Sequence, residues 1–215
     1  MSPIRVGIIG LSSSASTSWA SGAHLPYLLS PRGRQKYQIV ALLNSSVDAA
    51  RAAIAHYKLD ASVVKPYGDP ESLAADADVD LVVNCTRVDV HYPSVLPSVK
   101  AGKNVFVEWP LANNVERAKE LAETVKSKGA KSIVGLQGRL APPIIKLREL
   151  LEEGAIGKVL SSEVRGAGGT NDRASLPPGL AYFTDRSVGG NVYTIGFGHC
   201  ESGTFPVIMN VTDVK

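Results

Sequence analysis

The N-terminal stretch constrains the fold more than any other part of the sequence. Residues 4–10 read Ile-Arg-Val-Gly-Ile-Ile-Gly, an apolar run with β-branched side chains that ends in glycine. A turn of small residues follows, and then a helix-like stretch. This order is typical of the strand–loop–helix opening of a dinucleotide-binding α/β unit, in which a pyrophosphate lies at the helix N-terminus. The stretch therefore predicts an α/β fold with a nucleotide at its first loop.

The glycine fingerprint of such units is incomplete in this sequence. Reading G-x-G-x-x-G from Gly10 places Ser12 at the second position and Ala15 at the third. Gly10 permits the tight turn, and Ala15 is small enough for close packing of helix on strand. The Cβ of Ser12 restricts the approach of the backbone to a phosphate, but six hydroxyl side chains within residues 12–18 are available as donors. Such a run is also typical of a flexible loop, so the loop by itself leaves nucleotide binding open.

Composition excludes several classes of protein. The 215 residues suffice for one domain with a good core, or for one domain plus part of another. The formal net charge is only +3, and charges of both signs are mixed along the chain, which argues against nucleic-acid or membrane binding. Cys85 and Cys200 have neither zinc-ligand spacing nor the number that a disulfide framework needs, so we expect no metal site. Without a secretory h-region or an apolar run of about 20 residues, the sequence predicts a cytoplasmic protein.

Strand-like and helix-like patterns alternate after the first loop. Apolar strands are predicted at Tyr37–Leu43, Asp80–Cys85, Asn104–Val107 and Ser132–Leu136. Helices are predicted between them, one starting at Pro93 and kinked or shortened at Pro97, and one capped by Asn113. This alternation predicts a doubly wound parallel sheet with helices on both faces.

The end of the second strand bears on cofactor choice. In dinucleotide folds this point meets the adenosine ribose, where an acidic residue holds the 2′-hydroxyl and neutral or basic residues leave room for a 2′-phosphate. Asn44 and Ser45 are neutral, and Arg51 follows in the helix, which favours NADP or no choice between the two cofactors. The alternative is that Asn44 or Ser46 merely caps the helix.

A second unit is predicted from residue 140 onward. Pro142-Pro143 starts a helix to Glu153, residues 159–166 form a strand pattern, and a Gly/Pro/Asn-rich loop follows. The last sixteen residues have no clean period. We therefore predict a dinucleotide-binding domain over 1–139, the start of an α+β substrate or dimerisation domain over 140–199, and an unrelated ending over 200–215.

Four short motifs, taken in order, resemble one known family. They are Trp19-Ala20 with His24 and Pro26, Val107-Glu108-Trp109 with Leu111-Ala112, Leu136-Gln137-Gly138-Arg139, and Phe197-Gly198-His199. The chain is similar to the glucose–fructose oxidoreductase/inositol dehydrogenase (Gfo/Idh/MocA) family, and within it to the branch of the fungal galactose-regulon repressor. The resemblance implies a Rossmann-type domain, NAD or NADP as cofactor, and hydride transfer on a sugar, polyol or related carbonyl compound. For the repressor branch it implies instead a non-catalytic regulator, cytoplasmic or nuclear, that binds a transcription-activator protein.

The sequence departs from this family at the residues that move protons. Family enzymes have Glu-Lys-Pro where this chain has Glu108-Trp109-Pro110, and an Asp where it has Ile195. An indole donates a hydrogen bond but does not ionise, so Trp109 cannot replace the lysine in a proton relay. His199 remains as a possible base, or as a leftover polar residue in a cleft. Trp109 either stacks on a nicotinamide or fills core volume, and Trp19 either lies near the nicotinamide or anchors its loop.

These considerations define a predicted site. Its cofactor-binding residues are Gly10, Ser12, Ser13, Trp19, Asn44, Ser45, Glu108, Trp109 and Pro110, and its catalytic residue is His199. By analogy with the family, we expect a cis peptide bond before Pro110. Family chains are longer, so we expect a C-terminally truncated form that lacks most substrate-reading residues, and a homodimer only if the second domain were complete.

Overall fold

The computed structural model describes residues 2–15, 17–163 and 175–199 and divides the chain into two compact units, Met1–Val134 and Gly135–Lys215. Each unit is described by itself. The predicted ending at 200–215 and residues 167–174 of the predicted Gly/Pro/Asn-rich loop lie outside the described residues.

The first unit is built on a six-stranded sheet in the order β3-β2-β1-β4-β5-β6. The strands are β1 Ile4–Ile9, β2 Tyr37–Leu43, β3 Lys65–Tyr67, β4 Leu81–Asn84, β5 Asn104–Glu108 and β6 Ser132–Gly135. The pairs from β3 to β5 are parallel, with Val6 of β1 opposite Ile39 on one side and Leu81 on the other. Strands β2 and β3 are added on one side of β1 and strands β4 to β6 on the other, so the strand order reverses at β1. The predicted doubly wound α/β fold is confirmed.

Helices connect successive strands and cover both faces of this sheet. They are α1 Leu25–Leu29, preceded by a π-helical turn at Ala20–His24, then α2 Pro31–Arg34, α3 Val47–His56, α4 Pro70–Ala75, α5 Val88–Lys100 and α6 Val115–Ser127. One core cluster packs Val6 and Ile8 of β1 against Ala20 and Leu25. A second cluster includes residues of β4, β5, α5 and α6, among them Val82, Val107, Val95 and Leu121. Residues 6–9 of β1 and 81–83 of β4 carry no polar side chain because helices cover both faces of the sheet there.

Two helix starts differ from the sequence prediction. Helix α5 begins at Val88 and continues through Pro93 and Pro97. The buried side chains Val88, Val95 and Val99 lie on one face at helical spacing, so packing against the sheet offsets the hydrogen bonds that the prolines remove. Helix α6 is capped by Asn114, whose side chain accepts a hydrogen bond from the Arg117 amide, and not by Asn113.

The second unit contains helix α7, Pro142–Glu152, and several short helical turns. The turns comprise Gln137–Leu140, Pro178–Thr184, Arg186–Val188 and Val192–Phe197. The predicted strand is wrong for residues 159–163, which form no regular structure, and the rest of it lies outside the described residues. A strand pattern needs a neighbouring strand for its hydrogen bonds, and the described part of this unit beyond β6 provides none.

Candidate functional site

Gly10 makes the turn at the carboxyl end of β1, next to the point where the strand order reverses. Its φ is +93°, and a Cβ at this position would lie 2.7 Å from Thr86 Cγ2 and 3.2 Å from the carbonyl carbon of Cys85. Its amide donates to the Leu43 carbonyl at 3.0 Å. Only glycine fits here, because the conformation and the space both exclude a side chain. Ligands of doubly wound folds bind in the crevice at this reversal.

The loop after Gly10 is anchored from β2 and α3. Asn44 Nδ2 donates to the Leu11 carbonyl at 3.0 Å, and Tyr57 Oη donates to the Ser12 carbonyl at 2.8 Å. The hydroxyl of Ser12 accepts from the Ser14 amide at 3.2 Å, so it closes a turn within the loop. Ser13 is exposed. The loop is therefore held through the backbone carbonyls of Leu11 and Ser12, and the side chain of Ser13 stays exposed to solvent.

The third position of the fingerprint is displaced from where the sequence predicted it. Ala15 is exposed in the loop and packs no helix against the strand. The first helical segment starts at Ala20, which is 1% exposed and belongs to the core cluster around Val6 and Ile8. Trp19 precedes this segment and is 50% exposed. The prediction placed the small residue too early because the serine-rich loop is longer than the fingerprint allows.

Asn44, Ser45 and Ser46 perform different tasks after β2. Ser46 caps α3, with its hydroxyl accepting from the Ala49 amide at 3.1 Å, as the capping alternative anticipated for this residue. Asn44 does not cap the helix but supports the loop, and its amide also reaches the Ala49 carbonyl at 3.4 Å. Ser45 is exposed beside it. Arg51 lies one turn into α3 and pairs with Asp48 at 3.3 Å on the surface.

Three chemically active side chains from distant parts of the sequence meet at the same edge of the sheet. His24 Nε2 donates to Glu108 Oε1 at 2.5 Å, and Cys85 lies beside this pair, with the ligand-type atoms of all three residues within 4.8 Å of one another. The rings of His24 and Phe106 pack nearly perpendicular to each other, with their centroids 5.3 Å apart. Burial and the nearby Glu108 carboxylate raise the pKa of the Cys85 thiol well above its usual range. Sequence reasoning missed this cluster because Cys85 has the appearance of an ordinary strand residue.

The turn after β5 carries Trp109 and Pro110. The peptide bond between them is cis, so this prediction is confirmed. Trp109 is partly buried and Pro110 is buried. His91 of α5, 1% exposed, lies between this turn and the β4–α5 connection, with Nδ1 2.8 Å from the Pro110 carbonyl oxygen and Nε2 2.8 Å from that of Thr86. The turn is thus fixed to the segment that packs on Gly10.

Asn84 organises the β4–α5 connection and was not recognised from the sequence. Its side chain is fully buried at the end of β4. Nδ2 donates to Ser94 Oγ at 2.8 Å and to the His91 carbonyl at 3.2 Å, while Oδ1 accepts from the amide and hydroxyl of Thr86. A buried amide with donors and acceptors satisfied fixes its surroundings in one arrangement. The sequence signal was a lone Asn at the end of an apolar run.

Together these contacts bring most of the predicted residues to one edge of the first unit. Gly10 packs on Thr86, His91 joins Thr86 to Pro110, and His24 joins the first helical segment to Glu108. The serine loop and the Trp109–Pro110 turn therefore lie along the same edge of the sheet, at the carboxyl ends of β1, β4 and β5.

His199 lies in the second unit, so its position opposite a nicotinamide stays a prediction. It is partly buried, and a Cβ on Gly138 would lie 3.3 Å from its carbonyl oxygen. Two of the motifs recognised in the sequence, Gln137-Gly138-Arg139 and Gly198-His199, are therefore neighbours in space within this unit. Arg148 Nη2 also donates to the Arg139 carbonyl, which fixes α7 against the same turn.

Comparison with known proteins supports this geometry. Residues 4–136, more than half of the chain, match the oxidoreductase family with an NAD-binding Rossmann fold. The chain belongs to that family. Residues 142–212 match the C-terminal domain of Gal80p, a match that extends past residue 200, where the sequence suggested an unrelated ending.

Similar proteins include both dehydrogenases and regulators. The chain is 36% identical to the dehydrogenase aclE of Aspergillus oryzae, covering 91% of this chain and 52% of the relative. It is 32% identical to the galactose/lactose metabolism regulatory protein GAL80 of Saccharomyces cerevisiae, covering 92% and 45%. The crystal structure of a super-repressor mutant of that Gal80p superposes with a TM-score of 0.82 at 30% identity, covering 99% of this chain and 54% of the other. The chain thus spans about half the length of these relatives. Among the described residues, no helix has the length and apolar character needed to cross a membrane.

Proposed function

We propose that the first unit binds NAD or NADP across the carboxyl edge of its sheet and presents the nicotinamide for hydride transfer with a sugar, polyol or related carbonyl compound. One observation carries this proposal: Gly10 occupies a left-handed conformation at the strand reversal, where a Cβ would collide with Thr86. This is the tight turn that ends the first strand of a dinucleotide-binding unit and directs the following loop toward the pyrophosphate. The residues around it fit a dinucleotide, because hydroxyl donors and a neutral ribose position lie on the same edge.

Each predicted residue has a role in this arrangement. Gly10, Ser12 and Ser13 face the pyrophosphate, and Asn44 and Ser45 face the adenosine ribose. Glu108, Trp109 and Pro110 face the nicotinamide end, with Trp19 nearby. The bound cofactor supplies the hydride acceptor or donor at its nicotinamide ring. Asn44 and Tyr57 contribute by holding the loop backbone before the ligand arrives.

The proton of a substrate hydroxyl needs a base of its own. Trp109 cannot serve, because an indole does not ionise usefully. We assign this role to His199, whose ordinary pKa of about 6.5 suits a base near neutral pH. An enzyme of this kind is expected in the cytoplasm.

A second candidate function is a regulator that binds NAD or NADP and a transcription-activator protein without turnover, in the cytoplasm or the nucleus. The specific observation that favours it is Trp109, which stands where the family enzymes have their lysine. The absence of this lysine has no consequence for a protein that binds the cofactor without transferring a proton. The likeness to the GAL80 regulator supports this candidate as the likeness to the dehydrogenase aclE supports the first.

One experiment separates these functions. The purified chain is titrated with NAD and with NADP by calorimetry, and nicotinamide absorbance is then followed with a panel of sugars and polyols. Tight binding with turnover supports the enzyme, and tight binding without turnover supports the regulator. Absence of binding to either nucleotide contradicts both.

A further inference from the structure

We propose that His24, Cys85 and Glu108 form a binding site for a single zinc ion. The imidazole of His24, the thiolate of Cys85 and a carboxylate oxygen of Glu108 are the ligands. These atoms lie within 4.8 Å of one another without any backbone rearrangement. The inference concerns the free protein and does not depend on the proposed cofactor.

The donor set suits zinc better than the other common cations. It offers one nitrogen, one sulfur and one oxygen, whereas Ca²⁺ and Mg²⁺ require oxygen ligands almost throughout. A thiolate and a carboxylate balance the two charges of the metal, so a partly buried site becomes neutral on binding. Three protein ligands leave the fourth tetrahedral position open, which is the composition of a reactive zinc site and not of a closed structural one.

The three residues are held on rigid elements. Cys85 directly follows β4, and its amide donates to the Ile9 carbonyl at 3.0 Å. Glu108 is the last residue of β5, and its side chain is only 11% exposed. His24 ends the π-helical turn, and the Phe106 ring fixes its plane from one side. Strand ends and a helical turn hold the backbone of the three ligand residues in place, so only side-chain torsions need to change on binding.

Metal entry requires a small change in the side chains. His24 and Glu108 share a hydrogen bond of 2.5 Å, while two ligands of a tetrahedral zinc ion are about 3.3 Å apart. Rotation about the torsions of the Glu108 side chain opens this gap. Coordination through Nε2 of His24 breaks the Nε2–H bond, and exchange with solvent leaves the ring proton on Nδ1. The S–H bond of Cys85 breaks as the Zn–S bond forms, and the thiol proton passes to solvent, so binding releases a proton.

The test uses the single-cysteine variant Cys200→Ser, which leaves Cys85 as the thiol of the chain. Co²⁺ is titrated into this protein under reducing, nucleotide-free conditions, and absorption spectra are recorded. We expect tetrahedral cobalt bands together with a sulfur-to-cobalt charge-transfer band in the near ultraviolet. Added Zn²⁺ should displace Co²⁺ and abolish both sets of bands. Competition with a chromogenic chelator should give a stoichiometry of one Zn²⁺ per chain.

Matched variants assign the ligands. Cys85→Ser should remove the charge-transfer band, and His24→Gln or Glu108→Gln should weaken Zn²⁺ binding by more than the roughly 10- to 100-fold cost typical of second-shell changes. The control His56→Gln, at an exposed position, should leave the affinity unchanged. The proposal is overturned if Cys200→Ser shows no charge-transfer band, or if the ligand variants bind Zn²⁺ as the control does. Because the decisive spectrum comes from Cys200→Ser, misfolding of a ligand variant does not decide the outcome.

Discussion

The carbonyl oxygen of Pro110 lies 2.8 Å from Nδ1 of His91, a contact that joins α5 to the turn after β5. The other ring nitrogen faces the Thr86 carbonyl at the same distance. One buried imidazole therefore connects the β4–α5 segment to the turn that is proposed to face the nicotinamide. Its ionisation state has consequences for stability.

Acid should destabilise the protein through His91. Burial lowers the pKa of this ring below its ordinary value of about 6.5, outweighing the two carbonyl contacts that favour the charged form. The unfolded chain then binds the proton at a higher pH than the native chain does. The contribution to the free energy of unfolding is therefore complete above about pH 6.5 and is lost as pH falls toward the native pKa. Urea denaturation at a series of pH values measures how the free energy of unfolding changes with pH. This free energy should depend less steeply on pH in His91→Asn than in His56→Asn. Equal slopes would contradict this prediction.

Substitution of Gly10 by alanine should be costly. The positive φ costs about 1–3 kcal/mol for a residue with a Cβ, and crowding against Thr86 and Cys85 adds a similar amount. Nucleotide affinity should fall with the same change. Gly102→Ala is the control, since its φ is +79° but a Cβ there meets nothing within 4 Å. Thermal and urea denaturation of both variants measure the difference. If both variants have the same free energy of unfolding, crowding of a Cβ at position 10 does not contribute to the loss of stability.

Trp109→Lys should separate enzyme from regulator. The lysine restores an ionisable group at the position that the family enzymes use, so an enzyme limited by proton transfer should gain turnover of about 100-fold. Trp109→Phe keeps an aromatic ring without the charge and should show no gain. Initial rates with a sugar and polyol panel provide the measurement. Unchanged nucleotide binding with no turnover in either variant would favour the regulator.

Tyr57→Phe should loosen the first loop. The lost hydrogen bond to the Ser12 carbonyl, 2.8 Å long and partly buried, contributes about 0.5–1.5 kcal/mol. Affinity for NAD and NADP should fall with it, because the loop must then be ordered on binding. Tyr92→Phe removes a surface hydrogen bond to Glu120 and serves as the control for calorimetric titration. A nucleotide affinity unchanged from the control would show that Tyr57 has no part in binding.

The sequence was sufficient to predict five of the six strands, but not β3, Lys65–Tyr67, whose three residues are too few for a clear apolar pattern. The apolar runs that end at Ile9 and Leu43 can be recognised from the local sequence alone. A parallel strand buried on both faces has such a continuous apolar run in any protein. The cis bond before Pro110 followed from resemblance to the family. Helix α5 starts earlier than predicted because packing of the buried Val88 and Val95 overrides the local proline signal. Helix α6 starts one residue later than predicted because Asn114, and not Asn113, accepts the capping hydrogen bond.

The contacts inside the crevice could not be predicted, because they join residues that are far apart in sequence. Nothing near His24 indicates a partner at Glu108, and Asn84 gives no sign of its four hydrogen bonds. The position of Ala15 was misjudged for a related reason. The fingerprint assumes a fixed number of residues between strand and helix. The serine-rich loop is longer than that, so the small residue that packs in the core is Ala20.

The central place of β1 in the sheet has a consequence for synthesis. Of the six strands of this sheet, β1 is synthesised first, and it requires β2 on one side and β4 on the other. A nascent chain therefore exposes Ile8 and its neighbours until β4 has also emerged, since parallel pairing across such separations closes slowly. Chaperones that recognise apolar extended segments should bind the growing chain during this interval and release it once β4 has docked.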